Sequence, residues 1–218
     1  MVPGRITKDI DDLAAKLIEQ ENALPAFKGY RGFPANICVS VNEQVVHGIP
    51  SSEKKLKSGD IVSLDFGVCY KGYFADAAVT LPVGKIDSSR KKLIRVTRDS
   101  LWQAIKQARP GKYLGDISYA IQRYVESQGF SIVRQFVGHG IGRNLQEEPE
   151  VPNFGKPHQG LLLKEGMVLA IEPMVNMGSW EVEILNDNWT VVTKDRSPSA
   201  HFEHTVAITR NGPEVLTG

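Results

Sequence analysis

Four carboxylates and one imidazole stand out in this chain by type and spacing. Asp65 and Asp76 sit 11 positions apart in IVSLDFGVCYKGYFADAAVT, on either side of Tyr70, Lys71 and Gly72. Val62, Leu64, Phe66 and Val68 alternate with Ser63, Asp65 and Gly67, the pattern of a strand with one apolar face and one face carrying the acid. A turn at 70–72 folds the stretch into a hairpin. A loop centred between Tyr70 and Lys71 sets Asp65 opposite Asp76. A loop centred on Lys71-Gly72 shifts Asp76 two places along but keeps it on the same face, because strand side chains alternate with period two. Either way two carboxylates converge. Like charges facing each other across strands are destabilising, and small Ser63, Gly67 and Ala78 leave room beside them, so these two residues alone read either as a cation site or as two exposed acids on a solvated sheet face.

Three further residues belong with that pair. His139 lies in FVGHGIG, where Gly138, Gly140 and Gly142 permit close approach of backbone or ligand. Glu172 precedes Pro173, which biases it towards an extended conformation. Glu203 falls on an alternating strand that places His201 and Thr205 on its own face and Phe202, Val206 and Ile208 towards a core. Carboxylates with one imidazole and no thiolate suit Mn²⁺, Fe²⁺, Co²⁺ or Zn²⁺. Carboxylates also bridge, so Asp65, Asp76, His139, Glu172 and Glu203 suffice for two ions with a hydroxide between them.

The elements that must position these residues follow from periodicity. Ile6 to Glu21 reads as an amphipathic helix, with Ile10, Leu13, Ala14, Leu17 and Ile18 at helical spacing. Ile37 to Val41 is a strand, and a hairpin through Asn42-Glu43 leads to Val45, Val46 and His47. Lys54 to Asp60 is a charged turn. Lys91 to Gln107 and Asp116 to Gln128 are helices separated by the Pro110-Gly111 break. Ser131 to Val137, Gly166 to Val175, Glu181 to Thr193 and Phe202 to Thr209 are strand-rich.

An internal repeat underlies this order. VPGRITKDIDDLAAKLIEQEN and RPGKYLGDISYAIQRYVESQG align without gaps at a shift of 107 residues, matching Pro3 with Pro110, Gly4 with Gly111, Asp9 with Asp116, Ile10 with Ile117 and Glu19 with Glu126. Two related halves packed face to face are expected, about 1–85 and 86–218, within one domain. In the second half the helix Lys91 to Gln107 precedes the Pro-Gly. The first copy shows no counterpart, so apolar surface is expected on the Leu13/Leu17 helix or the adjoining sheet.

The motifs resemble those of type I methionine aminopeptidases, in the pita-bread metallopeptidase family. NEQVVHGIP around His47, SLDFG with Asp65, YFADAA with Asp76, FVGHGIG with His139, AIEPM with Glu172 and AHFEHT with Glu203 occur in order, and the resemblance runs from about Pro3 to Leu216. It implies an α+β pita-bread fold, a curved antiparallel sheet covered by helices in two pseudo-symmetric halves. It also implies two divalent ions, with Asp65 on one, Asp76 and Glu203 bridging both, and His139 and Glu172 completing the second. Glu172 would shuttle protons and His47 would hydrogen-bond near the scissile nitrogen. Tyr30, Phe33, Cys38, Phe136 and Trp189 match the apolar specificity pocket, and aromatics with a soft thiol suit a thioether side chain. One departure is clear. The family places a histidine seven residues after His139, and this chain has Gln146 there, at the position of a donor to the scissile carbonyl.

The implied reaction is removal of N-terminal methionine from peptides and nascent chains, the latter at the ribosome, with a small second residue. The alternative is a non-catalytic or weakly active pita-bread module that binds peptide, and such modules typically lose metal ligands. Prolidase-like relatives usually carry a large extra N-terminal domain. Composition is consistent with the enzyme reading. The 218 residues are 41% hydrophobic with a formal net charge of +1, which points to neither nucleic acid nor an anionic membrane surface. No apolar run approaches a membrane span, and the first residues lack a signal-peptide core. Only Cys38 and Cys69 are present, outside any CxxC, as in a reducing cytoplasm. A monomer is expected, with self-association through any exposed helix patch.

Overall fold

Lys71 and Gly72 both take positive φ, 50° and 81°, the two-residue turn whose twist matches a hairpin. They join ten-residue strands in which Tyr70 faces Tyr73, Gly67 faces Asp76 and Asp65 faces Ala78. The second of the two expected registers is therefore the one adopted. The computed structural model of the chain describes residues 1–217. In chain order its elements are α1 (Thr7–Gln20), β1 (Leu24–Pro25), β2 (Cys38–Val41), β3 (Gln44–Val46), β4 (Ile61–Tyr70), β5 (Tyr73–Pro82), α2 (Ser88–Ile105), α3 (Leu114–Ser127), β6 (Ser131–Ile132), β7 (Gly138–Gly140), β8 (Glu147–Val151), β9 (Val168–Ile171), β10 (Met174–Asn176), β11 (Val182–Ile184), β12 (Val191–Thr193), β13 (Ser199–His201), β14 (Glu203–Thr209) and β15 (Gly212–Val215).

One nine-stranded sheet runs β1-β4-β5-β14-β9-β7-β8, with β2 added to β4 and β15 to β14. The pairings are antiparallel. The seam between the two sequence halves is β5 against β14, where Glu203 faces Ala78 and His204 faces Ala77. Beyond those pairs a threonine hydroxyl takes over from the ladder. Thr205 Oγ1 accepts from the Asp76 amide at 2.9 Å and donates to the Asp76 carbonyl at 2.8 Å. Thr80 does the same for His201, accepting from its amide and donating to its carbonyl, both at 2.8 Å. Buried backbone polar groups must be paired, and these two hydroxyls allow the strands to splay without orphaning any.

The two faces of this sheet differ. Leu169, Ile171, Val206 and Ile208 point to the side covered by α2 and α3, joining Leu93, Val96, Leu101, Ile117, Ile121 and Val125 in the main core. Asp87 starts α2 by accepting from the Arg90 amide at 2.8 Å, earlier than the apolar pattern alone suggested. The opposite face carries Ser63, Asp65, Asp76, Glu203 and Thr205, all buried.

α1 and α3 are each 14 residues long and offset by 107, as the repeat requires. Their surroundings differ. At the α3 position matching Leu17, Tyr124 packs on the core and its hydroxyl reaches Asp99 of α2 at 3.4 Å. Beside α1 there is no such helix among the described residues. Leu13 and Leu17 are 53% and 52% exposed, and Phe66 and Tyr70 on β4 are 42% and 47% exposed. Between them runs an apolar groove of about 740 Å³. The expected uncovered patch is present, and it leaves the nominally apolar face of β4 more open than its acid-bearing face.

Two strand expectations change. β2 and β3 do not pair with one another; β2 pairs with β4 and β3 with β12. The turn at Asn42, with φ of 55°, sends the chain from the large sheet to a small one. The expected strand Ser131 to Val137 is interrupted for the same reason. β6 belongs to the small sheet with β10 and β13, β7 to the large one, and the intervening residues cross between them.

Leu17→Glu should therefore cost less than about 1 kcal/mol in urea unfolding, as surface changes do, and should lower any concentration-dependent sedimentation. Ile117→Ala, at the core of the sister half, should cost about 2–5 kcal/mol. A core-sized loss for Leu17→Glu would show that Leu17 is covered.

Candidate metal centre and active site

Five adjacent strands each deliver one of the five ligand candidates. Asp65 is on β4, Asp76 on β5, Glu203 opens β14, Glu172 follows the last residue of β9, and His139 is the middle residue of β7. The registers stagger them. Ala78 faces Asp65 on one side and Glu203 on the other. Two residues along, Gly67 faces Asp76, and Ala170 faces both Thr205 and His139. Small residues thus alternate with ligands across the sheet and make the space the acids occupy. Gly138 and Gly140 serve a related need. A Cβ there would lie 2.3 Å from the Ala170 and Glu148 carbonyl oxygens respectively, so they admit the neighbouring strands rather than a ligand.

Asp76, His139 and Glu203 offer ligand atoms within 4.8 Å of one another, as do Glu172, His201 and Glu203. His139 Nδ1 lies 2.9 Å from the Gly140 carbonyl. That carbonyl can only accept, so Nδ1 carries the proton and Nε2 is left with its lone pair. Nε2 is 3.8 Å from Glu172 Oε1, and Glu172 Oε2 is 3.3 Å from His201 Nε2. These imidazoles are the only ion-pair partners of the four acids among the described residues.

Burial and mutual repulsion dominate the electrostatics. Burial, then Glu172, pushes Asp76 up to about 7, and burial pushes Glu172 up to about 7 despite His139 beside it. Asp65 and Glu203 are raised well above the ordinary carboxylate range, first by burial and then by the Asp76 charge. Burial also lowers His47 and His201 to about 4. The Cys38 thiol is pushed up by burial and by Asp65, so it stays protonated and apolar in character. Asp65 Oδ1, Glu203 Oε1 and both ring nitrogens of His201 are buried without a hydrogen-bond partner. Oxygen donors crowded together, unpaired and aimed at one space fit divalent metal ions.

The cleft above these groups has a volume of about 120 Å³. Tyr30, Phe33, Cys38, His47, Asp65, Asp76, His139, Gln146, Glu172, Trp189 and Glu203 all line it. Of the residues anticipated from sequence, Phe136 alone stands back, its ring edge-on to His47 with centroids 5.6 Å apart. Trp189 is edge-on to Phe33 at 5.1 Å and to His47 at 6.0 Å. His47 has a φ of 59°, a left-handed backbone uncommon for a non-glycine residue. Gln146 is at the exposed rim, where the Tyr30 hydroxyl donates to its Oε1 at 3.2 Å. The turn beside it is capped by Glu147, whose Oε1 accepts from the Asn144 amide at 2.8 Å. Phe27, Arg31 and Leu145 also line the cleft without a sequence signal of their own. His201 was missed too, although AHFEHT had already set it on the face of Glu203.

Comparison with known proteins agrees with this geometry. The model of metallopeptidase family M24 matches residues 1–210. Methionine aminopeptidase 1 of Bacillus subtilis is 54% identical over 215 residues, covering 99% of this chain and 86% of that protein. The methionine aminopeptidase of Clostridium perfringens is 57% identical over the same length, with the same shares covered. The crystal structure of the Thermotoga maritima methionine aminopeptidase superposes with a TM-score of 0.98 at 53% identity, covering 99% of this chain and 87% of that one. Prolidase from Pyrococcus furiosus shares the fold, at a TM-score of 0.79 and 22% identity, covering 100% of this chain and 57% of that one. The pita-bread fold is thus common to all, and the chain belongs to metallopeptidase family M24, where it stands with the methionine aminopeptidases.

Proposed function

We propose that this chain removes N-terminal methionine from peptides and nascent chains in the cytoplasm, as a monomer whose related halves, about 1–85 and 86–218, form one catalytic domain. The observation that carries the reading is the row of Asp65, Asp76, Glu203, Glu172 and His139 on five adjacent strands, flooring a cleft walled by aromatic side chains. Two divalent transition ions, Mn²⁺, Fe²⁺, Co²⁺ or Zn²⁺, fit the donor set. Asp65 would hold one, Asp76 and Glu203 would hold both, and His139 with Glu172 would complete the second. When bound, the ions supply a water ionised near neutral pH and withdraw charge from the scissile carbonyl.

The remaining work falls to the protein. Glu172 faces the cleft between His139 and His201, and it would carry the proton from water to the leaving amine. His47 is neutral at working pH and would hydrogen-bond the substrate near the scissile nitrogen. The Tyr30 hydroxyl engages Gln146 Oε1, which leaves the amide protons of Gln146 to donate to the scissile carbonyl. Phe33, Cys38 and Trp189, with Phe136 behind His47, would close around the methionine thioether. Cleavage before a small second residue follows from so confined a cleft. Nascent chains at the ribosome supply substrates of this kind.

Asp76→Asn and Glu203→Gln should each cost on the order of 100-fold or more in kcat/KM and lower the ions bound per chain, and both should exceed the cost of Tyr30→Phe. Near-parental turnover with full stoichiometry in either variant, measured by elemental analysis, would sink the two-ion assignment. Gln146→His should raise turnover by about tenfold at unchanged metal affinity, because hydrogen bonds from a charged donor are roughly twice as strong as neutral ones. No change in either quantity would place Gln146 outside the reaction.

The metal-free protein should also have a characteristic pH response. Asp76 and Glu172 rise from ordinary values of 3.8 and 4.5 to about 7 on folding. Their contribution to stability is complete below about pH 4 and is lost as pH rises through 7. His47 and His201, lowered from 6.5 to about 4, contribute above 6.5 and lose that contribution as pH falls. Asp65 and Glu203 shift upward as well, so the acids outnumber the histidines. The melting temperature of chelator-treated protein should therefore fall between about pH 5 and 7, and added Mn²⁺ should restore it. A melting temperature that climbs over that interval without metal would contradict the buried-acid account.

A further inference from the structure

We propose that His201 is a positioning residue: a small turn of its buried ring would let Nε2 donate to Glu172 Oε2, 3.3 Å away, and so present the other oxygen of Glu172 to the metal site. The inference rests on the ion-holding role proposed above for Glu172.

Glu172 stands between two imidazoles, with Oε1 3.8 Å from His139 Nε2 and Oε2 3.3 Å from His201 Nε2. The two rings are not equivalent. His139 commits its Nδ1 proton to the Gly140 carbonyl, so its Nε2 has no proton to give Glu172. His201 is 1% exposed and neither of its ring nitrogens makes a hydrogen bond, with Nε2 3.3 Å from Glu172 Oε2. Two carboxylates are within reach of the ring: Glu172 Oε2 is 3.3 Å from Nε2, and Glu203 belongs to the same cluster of ligand atoms within 4.8 Å of one another.

The backbone of His201 is fixed for this purpose. Its amide donates to Thr80 Oγ1 and its carbonyl accepts from the same hydroxyl, both at 2.8 Å. Thr80 has thereby spent its only proton, so the Ser63 hydroxyl 2.8 Å away is the donor to it. His201 also faces Met174 in the β10–β13 ladder, just beyond Glu172 and Pro173. On the other side, Asn153 Nδ2 donates to the Glu172 carbonyl oxygen at 3.0 Å. Asn153 holds the backbone of Glu172 and His201 holds its carboxylate. Partners that orient a metal-binding group in this way typically alter metal affinity by about 10- to 100-fold when removed.

The test compares His201→Leu, which removes the donor at similar volume, with His201→Gln, which restores an amide donor. Co²⁺ binding to chelator-treated protein would be followed by calorimetry and by visible absorption, alongside kcat and KM on a Met-Ala-Ser peptide. The expected result for His201→Leu is Co²⁺ binding weakened by about 10- to 100-fold, an unchanged cobalt band shape, and a fall mainly in kcat. His201→Gln should recover most of the affinity. Parental affinity and kcat in His201→Leu would overturn the inference. So would an altered band shape that His201→Gln does not restore, since the ring would then be a metal ligand itself. If His201→Leu does not fold, His201→Gln against the shorter His201→Asn makes the same comparison, and equal affinities there would overturn it. Failure of the parental chain to bind Co²⁺ would instead defeat the metal reading of the whole site.

Discussion

Three buried carboxylates and a fourth, Glu172, with its side chain 13% exposed, share one face of one sheet with no lysine or arginine paired to them, and this is the constraint on which the rest of the structure depends. Burying one unpaired carboxylate costs several kcal/mol even after relaxation. Four such costs would exceed the roughly 5–15 kcal/mol by which a domain of this kind is stable. The face is tolerable only if the acids stay protonated or a multivalent cation shares them. The upward shifts of Asp65, Asp76, Glu172 and Glu203 express the first solution, and the convergence of unpaired oxygens prepares the second. Stability is therefore sought elsewhere, on the opposite face, where Leu169, Ile171, Val206 and Ile208 meet α2 and α3.

A sheet suits this division because successive residues point to opposite sides. The strands that place Glu203 and Thr205 at the metal face send Val206 and Ile208 into the core, and a shift of one residue would exchange the two. The register is accordingly fixed at several points. The Lys71-Gly72 turn sets β4 against β5, and the Thr205 and Thr80 hydroxyls tie the second half to β5 where the ladder opens. Glycines at 138 and 140 let β7 approach β9 and β8 more closely than any side chain allows. The Lys71-Gly72 turn, the Thr205 hydroxyl and Gly138 lie at boundaries between strands that bear candidate ligands, while Thr80 and Gly140 tie in β13 and β8 beside them.

Much of this was legible in the sequence, for identifiable reasons. Alternation showed which face of the hairpin held Asp65 and Asp76, and the two-residue spacing kept them together under either register. The helices at 6–21 and 116–128 were visible because their repeat preserved both length and apolar face. The sequence did not reveal that β2 and β3 belong to different sheets, because the left-handed turn at Asn42 looks locally like any hairpin turn. Nor did it reveal the role of His201. A histidine two residues from a glutamate shares its face in any regular strand, but the proximity to Glu172 comes from pairing between β10 and β13, which is non-local. The rim residues Phe27, Arg31 and Leu145 were illegible for the same reason, since loops from both halves meet there.

The two matched helices, α1 and α3, meet different surroundings. α2 and α3 together cover β9 and β14, whose Leu169, Ile171, Val206 and Ile208 are buried behind Glu172 and Glu203. In the first half α1 covers only part of β4, and Phe66 and Tyr70 remain open beside Leu13 and Leu17. Yet Asp65 is only 8% exposed, because its face is closed by β2, where Cys38 is its partner residue, and by the Phe27 and Phe33 segment. The acid-bearing face is thus protected independently of the helix layer. The apolar groove beside α1 and the acid-bearing face lie on opposite sides of β4, and the acid-bearing face is held together across the seam between β5 and β14.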